Sequence, residues 1–233
     1  MVWWGEARID TMNKYTEESL KLIKEAGCKM IFFGAETGND EVLKKMDKGG
    51  TQSSEQILSF AARLKNIGII PEYSFVLGIP AETEEEVNKQ IDFDIDYIRQ
   101  IKKINPHTEI IIYTYSPVPT EGSEMFEKVK ASGFKFPERL EHWISPEWEN
   151  FDLRKNPLTP WLKPYMIDKI KNFETVLNAY HPTVSDTKLS SAKKFILRTM
   201  SAWRYNLKFY AVPKEIRLFH VLWKYRQPEK EGF

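Results

Sequence analysis

The sequence of 233 residues holds one cysteine, Cys28. That excludes an internal disulfide, and it excludes any metal or iron–sulfur site built from this chain's cysteines alone. A nearly cysteine-free composition suits a reducing compartment, so the expected location is the cytoplasm. No apolar run approaches the roughly 18 residues that span a bilayer. The opening MVWWGEARID has no basic leader before an apolar core, so no signal peptide is expected. None of the four histidines, His107, His142, His181 and His220, lies three or four residues from another, so no local zinc motif exists. A nucleophile-elbow G-x-S-x-G, a P-loop and a G-x-G-x-x-G are likewise missing. Net charge is only +1, so bulk electrostatics select no partner class.

What is there is an ordinary globular composition, 42% hydrophobic and 29% charged, with an uneven distribution of charge. Lys188–Phe233 carries eleven Lys and Arg against three Glu, a local +8, which leaves −7 for the residues before it. The same stretch holds Trp203, Tyr205, Phe209, Tyr210, Phe219, Trp223 and Tyr225. This shift marks a boundary in character. The length itself suggests one large domain, or one domain with an appendage.

Two periods alternate over the first 130 or so residues. Val2–Ile9, Lys29–Phe33, Ile69–Leu77 and Glu109–Tyr115 are short apolar or aromatic runs that predict strands. Between them, Thr16–Ala26, a short helix capped by Asn39, a helix opened by Ser53 with Gln56, and a long helix opened by Thr83 with Glu86 follow helical spacing. Glu121–Ala131 predicts a further helix. The order β-α-β-α-α-β-α-β-α predicts an α/β fold with a parallel sheet. An open doubly wound sheet and part of a (β/α) barrel both satisfy it, and both place a ligand at the C-terminal ends of the strands. Beyond residue 131, Gly133–Asn156 is rich in Pro and Trp with little periodicity. Thr159-Pro160 predicts a helix start. Ser190–Phe209 and Pro213–Tyr225 predict two more helices.

The residues with chemical potential fall at those strand ends. Glu6, Arg8 and Asp10 follow the first run, and Gly34-Ala35-Glu36-Thr37-Gly38 follows the second. Gly78-Ile79-Pro80-Ala81-Glu82-Thr83 follows the third; Tyr113, Tyr115, Ser116, Pro117 and Pro119 end the fourth. Each set also suits plain turn geometry, but four together make a ligand face. Glu36 sits between glycines just past a buried strand, where a carboxylate suits hydroxyls such as a ribose, or an ammonium group. Arg8 at the neighbouring strand end can pair with Glu36 or hold a ligand carboxylate bidentately. Glu82 belongs to the acidic first turn of the helix capped by Thr83, and Cys28 reads as a small buried residue. No metal site is expected and no catalytic residue is assigned.

The ordered segments WWGEARID, IFFGAETGNDEVLKKMDKGGT, YSFVLGIPAETEEE and IIIYTYSPVPTEGSEMF resemble consecutive segments of radical S-adenosylmethionine (radical SAM) enzymes. The nearest resemblance is to the subfamily whose members usually carry an N-terminal cobalamin-binding domain. A G-x-E-[ST]-G element, a trailing L-x-x-M-x-K-G-x-T and a G-x-P-x-E-T element occur in the expected order. The resemblance covers residues 1 to about 130 well and the remainder loosely.

It implies a C-terminal portion of a partial (β/α)6 TIM-type barrel over residues 1–130, with residues 131–233 as a Trp/Pro-rich segment and basic helical extension. It implies that Glu36 contacts the ribose of S-adenosylmethionine, with Gly34 and Gly38 beside it. Arg8 would lie near the SAM carboxylate or the cluster, Gly78 and Pro80 would shape the floor under adenine or methionine, and Tyr113 and Tyr115 would face cofactor or substrate. The sequence departs from the family where the cluster should be held: no C-x-x-x-C-x-x-C motif is present, and Cys28 alone cannot hold a 4Fe–4S cluster. The chain is therefore expected to be the C-terminal part of such an enzyme, inactive alone. Cluster and cobalamin would be bound only in the full-length parent, and a missing N-terminal half is the implied partner. The parent would cleave SAM to a radical or use cobalamin to methylate an unreactive carbon of a small-molecule or lipid-like substrate. Two other readings compete. The basic aromatic tail, residues 188–233, could make the chain a membrane-surface or partner-binding module, peripheral to a membrane, with nucleic acid the weaker partner. A non-radical barrel enzyme could use Glu36 and Arg8 on a small phosphate or carboxylate.

Overall fold

The structure, a computed structural model, describes residues 1–46, 52–116, 121–122, 124–150, 158–183, 186 and 189–223. Two compact units divide the chain, Met1–Ile167 and Asp168–Phe233.

Four strands of the first unit, β1 (Trp3–Glu6), β2 (Cys28–Glu36), β3 (Ile70–Leu77) and β4 (Glu109–Thr114), form a parallel sheet whose spatial order is the chain order. Parallel neighbours need helical crossovers. These are α1 (Ile9–Met12) with α2 (Glu17–Glu25), then α3 (Asp40–Lys45) with α4 (Ser54–Ile67), then α5 (Glu84–Ile104). The helices start where their side chains can satisfy the first turn's N–H groups. Thr16 accepts from the Ser19 N–H, and Asn39 from those of Glu41 and Val42. Ser53 with Gln56 and Thr83 with Glu86 form complete capping boxes. The α/β class with a parallel sheet is as the sequence predicts. Winding across the four strands never reverses, whereas a doubly wound sheet turns back at a switch point.

The two faces of the sheet differ. On one, Phe33 and Tyr73 meet Phe60 of α4, and Phe75 meets Tyr97 of α5, all in edge-to-face contacts. Phe33, Phe60, Tyr73 and Phe75 are fully buried, which makes this the core. On the other face β2 and β3 alternate into half-exposed positions. There Glu6, Phe32, Glu72 and Glu109 pair across one row. The indole N–H of Trp4 donates to Glu72 Oε2 at 2.9 Å across this face.

Two boundaries differ from expectation. The first strand ends at Glu6, because Ile9 is fully buried and opens α1 instead of extending the strand. The helix expected from Thr159-Pro160 begins at Pro164, as α9 (Pro164–Tyr180). Trp161 and Leu162 are committed to β3: the Trp161 indole N–H donates to the Gly78 carbonyl at 2.8 Å, and Leu162 packs on Gly78. Pro164 then takes the first helical position, which needs no N–H donor.

The irregular stretch after residue 131 follows α6 (Glu124–Ala131) and contains two single-turn helices, α7 (Leu140–Trp143) and α8 (Pro146–Glu149). Aromatic contacts join it: Phe126 stacks on Phe136 at 4.4 Å, Phe134 meets Trp148 edge-on, and Trp143 lies 4.8 Å from Trp148. The second unit consists of the rest of α9 with α10 (Ser191–Asn206) and α11 (Lys214–Trp223). Its interior holds Phe173, Val176, Leu177, Leu197 and Ile216. Arg204 joins α10 to α11: its guanidinium pairs with Glu215 and donates to the Ala211 carbonyl at 2.7 Å. No helix of the described residues is long and apolar enough to cross a membrane.

Candidate functional site

The backbone departs from regular geometry at the end of β2. Gly34 pairs with Ser74, but Glu36 pairs with Phe75, so two residues of β2 oppose one of β3. This is a bulge, a device that re-aims a side chain at a sheet's edge. Glu36 has φ 65°, the left-handed region that a β-carbon disfavours. The Thr37 N–H donates to the Ala35 carbonyl at 2.8 Å, closing a three-residue turn centred on Glu36. A γ-turn with positive φ is rare and strained. Strain of about 1 kcal/mol persists only where the surroundings fix it.

Here the surroundings do fix it. The Gln52 side-chain amide donates to the Gly34 carbonyl at 3.1 Å and to the Ala35 carbonyl at 3.2 Å. Beyond Glu36, the Thr37 hydroxyl donates to Asp94 Oδ1 at 2.8 Å, and the Gly38 N–H donates to the same oxygen at 2.9 Å. The Asn39 N–H in turn donates to the Thr37 hydroxyl. Gly38 lies against the ring of Tyr97; a β-carbon there would stand 2.3 Å from Tyr97 Cγ. The Tyr97 hydroxyl is anchored on the Ser54 carbonyl at 2.6 Å. Glu36 itself is half-buried, while Thr37 and Asp94 are fully buried.

Asp94 was not among the residues singled out in the sequence. The signal was available: it is an acid among Val87, Ile91, Ile95, Ile98 and Ile101 on the inward side of α5. Burial pushes its carboxyl up to about 6, against the downward pull of the hydrogen bonds from Gly38 and Thr37. Its Oδ2 is buried with no hydrogen-bond partner among the described residues. Glu72 was missed as well, a charge within an otherwise apolar run. Burial raises its pKa, the Trp4 hydrogen bond lowers it, and Glu109 and Glu6 raise it further.

The other predicted positions divide. Arg8 precedes α1 and donates to Asp10 through Nε at 3.0 Å and Nη2 at 2.8 Å, so its fork is bidentate on a buried carboxylate. Gly78 has φ 79°, and a β-carbon on it would stand 2.6 Å from Leu162, so its open side faces Leu162. Pro80 lines a cleft of about 770 Å³ between α3, α5 and α6, together with Asn39, Met46, Glu86, Phe93 and Lys128. Tyr113 is half-buried and pairs in register with Val76. Tyr115 follows β4, where its N–H donates to the Leu77 carbonyl and its ring lies 6.0 Å from that of Trp161. Burial raises the Tyr115 pKa. Pro117, Pro119 and the residues 47–51 of the L-x-x-M-x-K-G-x-T element lie outside the described residues. Cys28 is buried, and burial pushes its thiol pKa up, as for an inert structural cysteine. Among the described residues no three His, Cys, Asp or Glu side chains gather as a metal site.

Residues 7–93 match the radical SAM superfamily. An uncharacterized methyltransferase of Pyrococcus horikoshii is 35% identical over 41% of this chain and 20% of its own length. A putative methylthiotransferase of Methanocaldococcus jannaschii is 33% identical over 39% of this chain and 19% of its own. The ribosomal protein uS12 methylthiotransferase RimO of Desulforamulus reducens is 30% identical over 35% and 19%. The chain thus spans about a fifth of the length of the curated relatives it matches. A solved radical S-adenosylmethionine methyltransferase, TsrM of Kitasatospora setae with cobalamin and a [4Fe-4S] cluster bound, aligns over 56% of this chain and 23% of its own. Its TM-score is 0.41 at 20% identity, a likeness too distant to carry an inference.

Proposed function

We propose, from the match of residues 7–93 to the radical SAM superfamily, that this chain supplies the S-adenosylmethionine ribose contact and part of the substrate side of a radical SAM methyltransferase or a related enzyme. The observation that carries the proposal is the strained, clamped turn at Glu36. Left-handed backbone clamped at a strand's C-terminal end, inside the matched segment, supports a ligand role for this carboxylate. Glu36 accepts hydrogen bonds from the ribose hydroxyls; Gly34 and Gly38 keep the backbone around it close. Gln52, Thr37 and Asp94 position the turn and have no contact with the ligand. Arg8, preset on Asp10 at the neighbouring strand end, stands on the side of the SAM carboxylate. Pro80, Tyr113 and Tyr115 stand on the substrate side. When bound to a reduced cluster, SAM supplies radical or methyl-transfer chemistry.

The residues present fit SAM at Glu36. They do not fit the cluster, which needs three thiolates where this sequence has one buried cysteine. The cluster cysteines, and any cobalamin, therefore belong to a companion segment, and the chain acts as the C-terminal part of a larger enzyme. The four strands form an arc of a partial (β/α)6 barrel. Support comes from the one-directional winding and from the row of acids on one face of the sheet, which suits a lumen.

Anaerobic iron–sulfur reconstitution tests the division of labour. The chain alone should give no stable 4Fe–4S spectrum and no SAM cleavage. A stable cluster with turnover from this chain by itself would overturn the proposal.

A further inference from the structure

Helices at a protein surface normally turn polar side chains outward. α10 does the reverse. Its buried side holds Leu197, Ser201, Arg204 and Tyr205, while Phe195, Ile196, Trp203 and Leu207 are exposed, Phe195 and Leu207 at 71% and 74%. With 3.6 residues per turn, Phe195, Ile196 and Trp203 fall within an arc of about 100°, so they share one face, and Leu207 caps the helix. On α11, Ile216 is buried while Leu218, Val221 and Leu222 are exposed. Trp203 stacks on Phe209 at 5.7 Å, and both rings remain exposed. An outward apolar face of this extent marks an interaction surface.

Charge decides what the surface meets. Ser190–Trp223 contains seven Lys and Arg and one acid, Glu215. That acid is held by Arg204. Arg198, Lys208, Lys214 and Arg217 are exposed. A second copy of this chain would bring like charge against like charge, which disfavours self-association. An anionic bilayer satisfies both features: aromatic and aliphatic side chains enter the interface while Lys and Arg meet headgroup phosphates.

We propose that the outward faces of α10 and α11 dock the chain on an anionic phospholipid surface. The inference is independent of the chemistry at Glu36. Co-sedimentation of the full chain with vesicles tests it, using phosphatidylcholine alone and phosphatidylcholine mixed with phosphatidylserine. The chain should pellet with the mixed vesicles and not with the neutral ones, and salt should release it. The triple variant Phe195→Gln, Trp203→Gln, Leu207→Gln changes only exposed side chains, so its urea midpoint should match the wild type. Its partitioning onto the mixed vesicles should fall roughly tenfold or more. Failure of the wild type to pellet, or pelleting of the triple variant at the wild-type level, would overturn the proposal. So would gel filtration showing a dimer that the triple variant dissociates, which would assign the face to a protein partner.

Discussion

The two units place their clustered aromatic side chains differently. In Met1–Ile167, Phe33, Phe60, Tyr73 and Phe75 are fully enclosed between the sheet and its helices. In Asp168–Phe233, Phe195, Trp203 and Phe209 face outward. The first unit also clamps a polar turn inside its packing, through Asp94 and Gln52. The second leaves part of its apolar surface outside and holds Arg204, paired with Glu215, within. Burial thus serves stability in one unit, and in the other the exposed residues contribute little to stability and are left for contact.

The largest expected effect tests this contrast head-on. Phe33→Ala removes a ring in edge contact with Phe60 and Tyr73 at 5.4 and 5.8 Å. It should cost about 3–5 kcal/mol in urea unfolding. Phe195→Ala in the second unit should change stability by no more than about 0.5 kcal/mol. Equal losses at the two positions would erase the distinction.

Asp94 gives a pH signature of the clamp. Its folded pKa of about 6 lies above the ordinary 3.8. The fold therefore favours the protonated acid, and its contribution is fully present below pH 3.8 and is lost as pH rises through 6. The span corresponds to a loss on the order of 3 kcal/mol. Asp94→Asn keeps an oxygen to accept from Thr37 and Gly38, so unfolding of that variant should show a smaller fall in stability between pH 4 and pH 7 than the wild type. The same fall in both would assign it to other groups.

A smaller effect is expected where the turn touches the core. Gly38→Ala drives a β-carbon into the Tyr97 ring. Overpacking of this kind should cost about 1–3 kcal/mol, read from the urea midpoint. An unchanged midpoint would show that Tyr97 yields and that the turn is held loosely.

Much of the first unit was legible in the sequence, because its signals are local. Capping residues at Thr16, Asn39, Ser53 and Thr83 and apolar runs at the strands state their own roles. The exceptions were decided by distant partners. Trp161 and Leu162 are drawn to Gly78, which moves the start of α9 to Pro164, and nothing in the Thr159-Pro160 dipeptide reports that. At the candidate site the motif pointed to Glu36, but its left-handed backbone depends on a bulge against β3 and on Asp94, 58 positions later on another element. The pattern offers Arg8 to Glu36 or to a ligand; its bidentate pairing with Asp10 follows from the end of β1 at Glu6 and from α1, a single turn that the run Val2–Ile9 does not announce. In the second unit the helices were legible, and the outward placement of Phe195 and Trp203 was not, since composition cannot say which side of a helix the rest of the unit covers.

The proposed role of Glu36 as a ligand residue depends on the clamped turn that holds it. Titrating the isotopically labelled chain with S-adenosylmethionine and following the backbone amides of Gly34–Asn39 tests this most directly. Shifts should concentrate on those amides in the wild type and be lost in Glu36→Gln. Shifts of equal size in the variant, or none at that turn in the wild type, would contradict it.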